Sequence, residues 1–385
     1  LPPLQHATLN NGIKITLAER HNVPTVNLAI RFDAGRVTDH AVKFGAASFT
    51  FGNMNEGTKT LPSLEFDDRK TELGARIGFS NGLDSSNISL SALKKNLTGS
   101  IKLWADVVQN PAFRSADIER DRSLTLAQLE EAKMSPNSIA GSLLTKVLYG
   151  DDHVYSGRTI VEREVMIRNI NRQDLVDFHE MWIRPDNAEI YVVGDTTLDE
   201  ITQELNSTFG TWQNPEQAKG IKNLTNAPYA DKSHIILVDR PEAVQSIILA
   251  AHLVSSSTDK NAFNVNAMND ILGGDFTSRI NMNLREDKHW SYGARTGLRS
   301  ALGQRPWVVS APVQIDKTAE ALVEANKEVQ ALASAEKAVT QAEVDKIRAN
   351  ELRSLPGQFE VANAVSGMIM GNVRYGRPDD YIARR

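Results

Sequence analysis

The sequence predicts an α+β protein built from two similar αβ domains. Three observations carry this prediction. Strand-like alternation and helix-like spacing both occur along the chain. Neighbouring strands are joined by turn residues rather than by helices, which favours mixed or antiparallel sheets packed with helices. Finally, the order of elements starts again after residue 232, as expected for a duplication.

The first half reads as strands separated by turns, followed by amphipathic helices. Ile13–Leu17 alternates after the turn signal Asn10-Asn11-Gly12, and Val26–Phe32 alternates until Ala34-Gly35. Leu97, Ile101, Trp104 and Val108 recur at helical spacing. The predicted strands are 13–17, 26–32, 77–83, 87–93 and 188–194, and the predicted helices are 41–54, 63–74, 97–108, 116–134, 139–148 and 172–182.

The second half repeats this order after a polar, proline-containing stretch. We therefore predict a first domain over residues 1–212, a linker over 213–232 and a second domain over 233–385. The predicted elements of the second domain are strands 235–238, 246–251 and 307–311 and helices 260–272 and 318–333.

The duplication is sharpest late in each half. Six residues recur at a fixed offset of 226: Ala116, Arg122, Leu126, Val147, Tyr149 and Gly150 answer to Ala342, Arg348, Leu352, Val373, Tyr375 and Gly376. The second copy reaches Arg385 before any counterpart of the strand near Ile190–Val193. We therefore expect the C-terminal end of the second domain to be truncated.

Composition excludes several function classes. With no cysteine, the chain has no disulfide, no thiolate nucleophile and no cysteine metal ligand. A formal net charge of −5 argues against a nucleic-acid surface, and no apolar run is long enough for a membrane span. Leu1-Pro2-Pro3 at the start suggests a processed chain and, with it, a periplasmic location; the mitochondrial matrix and the cytoplasm are the alternatives.

Few motifs carry chemistry by themselves. His179-Glu180 opens a zincin-like motif, but Ile183 stands where the second histidine belongs, so a structural histidine is the favoured interpretation. Asp151-Asp152-His153 could bind a cation. Because these residues directly follow Gly150, a polar loop is the favoured interpretation. The sequence contains neither a Gly-x-Ser-x-Gly elbow nor a phosphate-binding loop.

One helix start is notable for the residues it lacks. Gly45–Met54 contains no His, Cys, Asp or Glu. Zinc requires three or four nitrogen, oxygen or sulfur donors in tetrahedral geometry. This segment therefore predicts no zinc site.

The second half contains a more specific constellation. Gly273 and Gly274 allow positive φ or a close approach of the backbone to a partner or peptide. Arg285 is predicted to end a helix and Tyr292 to open a strand, and two such donors suit a peptide carbonyl or the oxyanion formed from it. From residue types alone, a salt-bridged arginine and a tyrosine at the edge of the core is the more ordinary interpretation.

These features together resemble the pitrilysin/insulysin-type M16 metallopeptidases, specifically the M16B kind. The similarity runs over essentially the whole chain, from the opening strands to the Arg285 and Tyr292 stretch. Active members of this family carry His-x-x-Glu-His on the first long helix and a further glutamate ligand about seventy-five residues later. The fold implied by the resemblance is half of a clamshell, closed by a second subunit.

The resemblance also implies roles for individual residues. Ser48 and Gly52 occupy the two histidine positions, and Phe51 occupies that of the catalytic glutamate. The distal glutamate falls near Gln128, with Glu130 and Glu131 close enough to leave the register open by a residue or two. In contrast, Arg285 and Tyr292 match the Arg/Tyr pair that the second half-molecule contributes, which reverses the ordinary interpretation. Gly273 and Gly274 match the glycine loop beside substrate or partner.

The predicted function is therefore that of a non-catalytic subunit of a heterodimeric zinc peptidase. The chain itself would bind no cofactor, whereas an M16B partner carrying His-x-x-Glu-His would supply zinc for hydrolysis of a peptide substrate. The alternative is a silent structural protein of the same fold, similar to the core subunits of a respiratory complex. An independent hydrolase is disfavoured, because no nucleophile–base pair can be read from the sequence.

Overall fold

In a computed structural model, residues 3–334 and 336–381 are described. The chain packs as two compact units. Among the described residues, the first unit takes those up to Gln128, then Arg163–Asn223, and those from Pro356 onward. The second unit takes Leu129–Glu162 and Leu224–Leu355. The predicted α+β class is confirmed, since each unit combines a sheet with helices.

The first unit is built on a six-stranded mixed sheet with the order β1-β2-β6-β3-β5-β4. Its strands are β1 (Leu4–Thr8), β2 (Lys14–Glu19), β3 (Thr25–Phe32), β4 (Arg76–Asn81), β5 (Ser86–Leu93) and β6 (Ala188–Gly194). Only the β2–β6 pair is parallel, and these two strands are separated in the sequence by three other strands and several helices. Apolar side chains such as Ile15 and Ile30 are fully buried, each contributing about 1.5–3 kcal/mol.

The first unit contains helices that the sequence predicted and others that it did not. They are α1 (Ala46–Met54), α2 (Ser63–Leu73), α3 (Leu97–Gln109), most of α4 (Ser115–Lys133), most of α6 (Ile160–Asn169), α7 (Arg172–Trp182), α8 (Leu198–Thr208) and α13 (Ala362–Arg374). The spaced apolar face predicted for α3 is buried, including Ile101 and Trp104. The α7 and α8 helices each begin with a capping box, which satisfies backbone donors that would otherwise have no partner.

The second unit contains a three-stranded antiparallel sheet in the order β7-β9-β8. Its strands are β7 (Gln245–Val254), β8 (Arg295–Leu298) and β9 (Arg305–Gln314). Its helices are α5 (Pro136–Tyr149), α9 (Ala262–Asn269), α10 (Arg279–Asn281), α11 (Thr318–Ala333) and α12 (Gln341–Ser354). Two π-helical turns follow α9 and α10, over Asp270–Gly274 and Met282–Asp287.

The predicted strand at residues 235–238 is wrong. These residues have no strand geometry, and the side chains of Ile235 and Leu237 are 85% and 88% exposed. In the first unit, the corresponding strand β2 pairs in parallel with β6. Within the described residues, the second sheet has no counterpart of β6. Residues 235–238 therefore have no strand against which to form a ladder.

The repeat of 226 residues is visible in two pairs of helices. Helices α12 and α13 begin 226 residues after α4 and α5, respectively. Helices α5 and α13 nevertheless each pack in a different unit from most of the helix that precedes them. The α5 helix packs on β7 of the second unit, whereas α13 packs on β3 and β6 of the first. Val365 and Ile369 of α13 are fully buried against Ala18, Tyr191 and Val193.

Packing thus divides the chain differently from the repeat, and the domain limits 1–212 and 233–385 stay a prediction about the duplication. Residues 213–232 contain no helix or strand. Part of this stretch nevertheless contacts the first unit. A Cβ on Gly220 would lie 2.2 Å from the ring of Trp182, and the Lys222 ammonium contacts Asp33 and the carbonyl of Asp84. Among the described residues, no helix is both long enough and apolar enough to cross a membrane.

Candidate functional site

The α1 helix carries the positions predicted to correspond to lost zinc ligands. It begins after Gly45, whose φ of 91° lies in the left-handed region that glycine tolerates. Ser48 and Gly52 lie one turn apart on the exposed face, whereas Phe51 is 2% exposed and packs in the core. A buried phenyl ring therefore stands where the resemblance places a general base.

A buried carboxylate holds the start of α1. The backbone N–H groups of Gly45 and Ala47 donate to the two oxygens of Asp39, each at 2.8 Å. Burial raises the pKa of the Asp39 carboxyl from its ordinary value of 3.8 to about 7, and these two hydrogen bonds oppose the shift. The first turn of α1 therefore depends on a side chain that titrates near neutral pH.

We expect Asp39→Asn to destabilise the fold by about 1–3 kcal/mol at low pH, because the protonated carboxyl still has two oxygens that can accept from the two N–H groups, whereas an amide has one. The folded-state pKa is raised, so the stabilisation from Asp39 is fully present below about pH 3.8 and is lost as the pH rises through about 7. The deficit of the variant should therefore shrink at pH 8. Denaturant midpoints at pH 5 and pH 8 measure this, with the exposed Asp152→Asn as control. An equal deficit at both pH values would contradict the assignment.

The residue of α4 that reaches α1 is Asp121. The Asn53 side chain donates to Asp121 Oδ2 at 3.0 Å, and a Cβ on Gly52 would lie 3.4 Å from the same oxygen. Burial raises the pKa of the Asp121 carboxyl above its ordinary value. Gln128 is exposed two helical turns further along the same face of α4. Asp121 was missed from the sequence, although an acidic residue seven positions before Gln128 was a signal that could have identified it.

These residues do not fit a zinc ion. The Ser48 hydroxyl accepts a hydrogen bond from Asn81 Nδ2 at 3.1 Å, and the neighbouring carboxylate is that of Asp121. Over residues 3–334 and 336–381, no cluster of three or more His, Cys, Asp or Glu side chains could hold a metal ion. One hydroxyl and one carboxylate fall short of the donors that tetrahedral zinc requires.

The two histidine motifs have structural partners. His179 Nε2 donates to the Val108 carbonyl at 2.8 Å, and burial lowers the pKa of this imidazole to about 4. In the second unit, His153 Nδ1 accepts from the Tyr155 N–H at 3.0 Å, while Nε2 donates to Thr225 O at 2.8 Å. Both nitrogens of His153 are occupied, which agrees with its interpretation as part of a polar loop.

The glycine pair ends the π-helical turn Asp270–Gly274 in the second unit. Neither glycine has a φ in the left-handed region. A Cβ on Gly273 would lie 2.4 Å from the backbone nitrogen of Thr296 in β8, and one on Gly274 would lie 2.5 Å from the Asp270 side chain. The positive φ is thus absent, and the close approach at Gly273 is to the chain's own strand β8.

We expect Gly273→Ala to destabilise the fold by about 1–3 kcal/mol, because β8 must move to admit the methyl group. Gly297→Ala in the same strand is the matched control, since a Cβ there meets nothing within 4 Å. Denaturant unfolding of both variants measures the difference. Similar midpoints for the two variants would contradict this prediction, because they would show that β8 moves at little cost in free energy.

Arg285 lies in the π-helical turn Met282–Asp287, which follows the glycine pair in the sequence. Its guanidinium stacks over the ring of Phe276 at 4.5 Å from the centroid, and its Nε lies 3.5 Å from Glu286 Oε1. The side chains of Arg285 and Phe276 remain partly and largely exposed, respectively. An aromatic face under a guanidinium orients the cation while leaving its edge accessible.

Tyr292 lies in the loop before β8 rather than in the strand, and its side chain is 88% exposed. No hydrogen-bond partner for its hydroxyl lies among the described residues. The backbone on either side is fixed: Ser291 Oγ donates to Pro312 O at 2.6 Å and accepts from the Gly293 N–H at 3.1 Å. The loop therefore presents an exposed phenol from a fixed backbone.

Asn281 connects the two segments that carry these side chains. It is 4% exposed. Its Nδ2 donates to Phe276 O at 2.6 Å, and its Oδ1 accepts from the Ala294 N–H at 3.0 Å. One buried amide thus holds both the aromatic platform under Arg285 and the loop of Tyr292. Sequence reasoning missed Asn281, because nothing in its local pattern distinguishes it.

Comparison with known families gives the class of the protein. Residues 14–159 match the insulinase family, peptidase family M16, and residues 169–351 match the peptidase M16 inactive domain. The chain belongs to peptidase family M16. The inactive-domain match contains the glycine pair, Arg285 and Tyr292.

Curated relatives are distant. Mitochondrial-processing peptidase subunit beta of Bos taurus is 24% identical over 210 residues, which cover 54% of this chain and 42% of the relative. Cytochrome b-c1 complex subunit 1 of the same organism is 24% identical over 178 residues, or 46% of this chain and 36% of the relative. The uncharacterized zinc protease YmxG of Bacillus subtilis is 20% identical over 75% of this chain and 68% of its own length. The match thus spans less than half of the first of these relatives.

Solved structures share the fold over nearly the whole chain. A peptidase M16 inactive domain from Pseudomonas fluorescens superimposes with a TM-score of 0.88 at 23% identity, covering 99% of this chain and 90% of that one. A protease from Helicobacter pylori has the same TM-score at 21% identity, covering 99% and 92%. A chain of Complex III2 from Candida albicans has a TM-score of 0.74 at 16% identity, covering 99% and 88%.

Proposed function

We propose that this chain is the non-catalytic subunit of a heterodimeric zinc metallopeptidase. The observation that carries the proposal is the exposed Tyr292 hydroxyl, held on a fixed backbone and joined through Asn281 to the platform under Arg285. A surface tyrosine that binds no ligand would not need a backbone held in this way. Two donors held ready for a ligand are what an oxyanion-stabilising site requires.

In this proposal, zinc belongs to an M16B partner carrying His-x-x-Glu-His, where it would polarise the scissile carbonyl and activate water. Residues of this chain bind and orient the peptide. The Tyr292 hydroxyl donates to the peptide carbonyl oxygen, and the Arg285 guanidinium provides a charge-assisted donor beside it. Both interactions strengthen as negative charge develops on that oxygen, which lowers the barrier.

The glycine pair has a supporting role in the proposal. Gly273 lets β8 approach the π-helical turn, and Gly274 leads into Asp275 and Phe276. Substrate or partner would then contact the segment that follows the pair. The periplasm stays the proposed location, and fractionation of the source cells would test it.

Purification of the full chain from its source tests the proposed partnership. We expect co-elution with one protein of similar size that carries His-x-x-Glu-His, at a native mass equal to the sum of both chains. Recovery of the chain as a monomer, or in a complex that contains no other member of its family, would contradict the heterodimeric peptidase proposal.

The second candidate is a structural protein of M16 fold, supported by the matches to cytochrome b-c1 complex subunit 1 and to a chain of Complex III2. A scaffold would not require an exposed phenol and a stacked arginine on segments held by the same buried amide. Co-elution with membrane respiratory proteins instead of a peptidase subunit would favour this candidate.

A further inference from the structure

A cleft of about 200 Å³ lies in the first unit between the sheet and α13. Arg31 of β3 and the adjoining Ser85 and Asn87 form one side, while Arg374 and Tyr375 at the end of α13 form the other. The residues that line it include two arginines and no carboxylate. The lining therefore carries two positive charges together with hydroxyl and amide groups.

Each guanidinium is fixed by a carboxylate outside this lining. Arg31 Nη1 donates to Glu189 Oε2 at 2.9 Å, and Arg374 Nη2 donates to Asp84 Oδ2 at 2.7 Å. The Asp84 side chain is fully buried, so the head group of Arg374 is strongly constrained. These carboxylates orient the two arginines without closing the cleft.

Both arginines retain a donor without an acceptor. The Nε atoms of Arg31 and Arg374 are buried, and neither has a hydrogen-bond partner among the described residues. A buried donor left unsatisfied is costly, and the planar guanidinium fork is suited to carboxylate and phosphate groups. Two arginines in one lining therefore favour a ligand with several acceptor oxygens.

On the α13 side of the cleft, Gly371 contributes no side chain. A Cβ on Gly371 would meet nothing within 4 Å, so packing does not require glycine here. Glycine inside a helix is otherwise destabilising by about 0.5–1 kcal/mol relative to alanine. The missing side chain leaves open space at the cleft that Arg374 also lines.

We propose that this cleft binds a small oxyanion, a carboxylate- or phosphate-bearing molecule, between Arg31 and Arg374. The bound oxygens accept charge-assisted hydrogen bonds from the two guanidinium groups, with Ser85 and Asn87 as neutral donors. The site uses none of the residues proposed for peptide hydrolysis. The proposal of an oxyanion site can therefore be tested independently of the proposed peptidase function.

The test is thermal unfolding of the full chain with increasing inorganic phosphate or succinate, at ionic strength held constant with sodium chloride. Gly371→Leu places a side chain at the cleft where a Cβ meets nothing within 4 Å, and Gly141→Leu on α5, where a Cβ also meets nothing, is its matched control. Arg374→Lys keeps the charge but removes the fork, with the exposed Arg348→Lys as control.

We expect a saturable rise in Tm with a half-maximal concentration below about 10 mM. The response should be abolished in Gly371→Leu, weakened about tenfold in Arg374→Lys, and retained in both controls. Saturation with phosphate alone identifies a phosphate site, and saturation with succinate alone identifies a carboxylate site. No saturation with either ion, or an unchanged response in folded Gly371→Leu, would overturn the proposal.

Discussion

Replacing Tyr292 with phenylalanine in the assembled complex is expected to lower kcat by about 10²–10³-fold, the usual effect of removing one donor from an oxyanion site. The substitution removes a single hydroxyl from a side chain that is 88% exposed, so the stability of the chain should not change. KM should change little, because the lost hydrogen bond is strongest in the transition state. Steady-state cleavage of a peptide substrate measures both constants.

Tyr229→Phe is the matched control, because Tyr229 is also exposed, at 54%, and lies outside the proposed site. Arg285→Ala should likewise reduce kcat/KM, and Asn281→Ala should lower turnover through the position of both side chains. Unchanged turnover of Tyr292→Phe in an intact heterodimer would contradict the proposed role of the pair.

Replacing Ile369 with alanine is expected to destabilise the first unit by about 2–5 kcal/mol. Ile369 lies on α13, late in the sequence, yet it is 1% exposed and packs against Ala18, Tyr191 and Val193 of the first sheet. Truncation leaves a cavity that these strands cannot readily fill. Denaturant unfolding, followed by the fluorescence of the buried Trp104 and Trp182 of the same unit, measures the loss.

Ile315→Ala is the control, since this isoleucine is 51% exposed in the second unit. The comparison also tests how the chain divides. If the first unit were complete within residues 1–212, Ile369→Ala would leave its unfolding unchanged. An effect on that unit requires α13 to be part of its core.

Local patterns identified most elements of the fold. Alternation placed β2, β3, β5 and β6, and helical spacing placed α3, because these signals depend on one buried face of the element itself. The predicted ranges omitted β1, β8, α6, α8, α10, α12 and α13. The α8 helix had a readable start, since Thr197 and Glu200 form a capping box.

Other features depend on residues distant in the sequence. Residues 235–238 have a strand-like composition but no strand to pair with among the described residues. The change of unit at α13 could not be predicted either, because a repeat in sequence records common ancestry rather than packing. Both features are decided by tertiary contacts, which override local propensity.

The candidate site was partly predictable. Residue type alone established that Ser48, Phe51 and Gly52 offer no zinc ligand set, and the spacing of Arg285 and Tyr292 was readable. Asp121 and Asn281 were missed, since each acts through contacts made across the fold, to Asn53 and to Phe276 and Ala294. Two assignments stay predictions: that Gln128 occupies the position of the distal glutamate ligand, and that the glycine pair lies beside substrate or partner.

The most direct measurement of the central claim is zinc content and peptide cleavage of the purified chain, alone and with its partner. The account predicts no stoichiometric zinc and no turnover for the chain alone in zinc-supplemented buffer, and one zinc per active heterodimer. Stoichiometric zinc together with robust turnover by the isolated chain would contradict it.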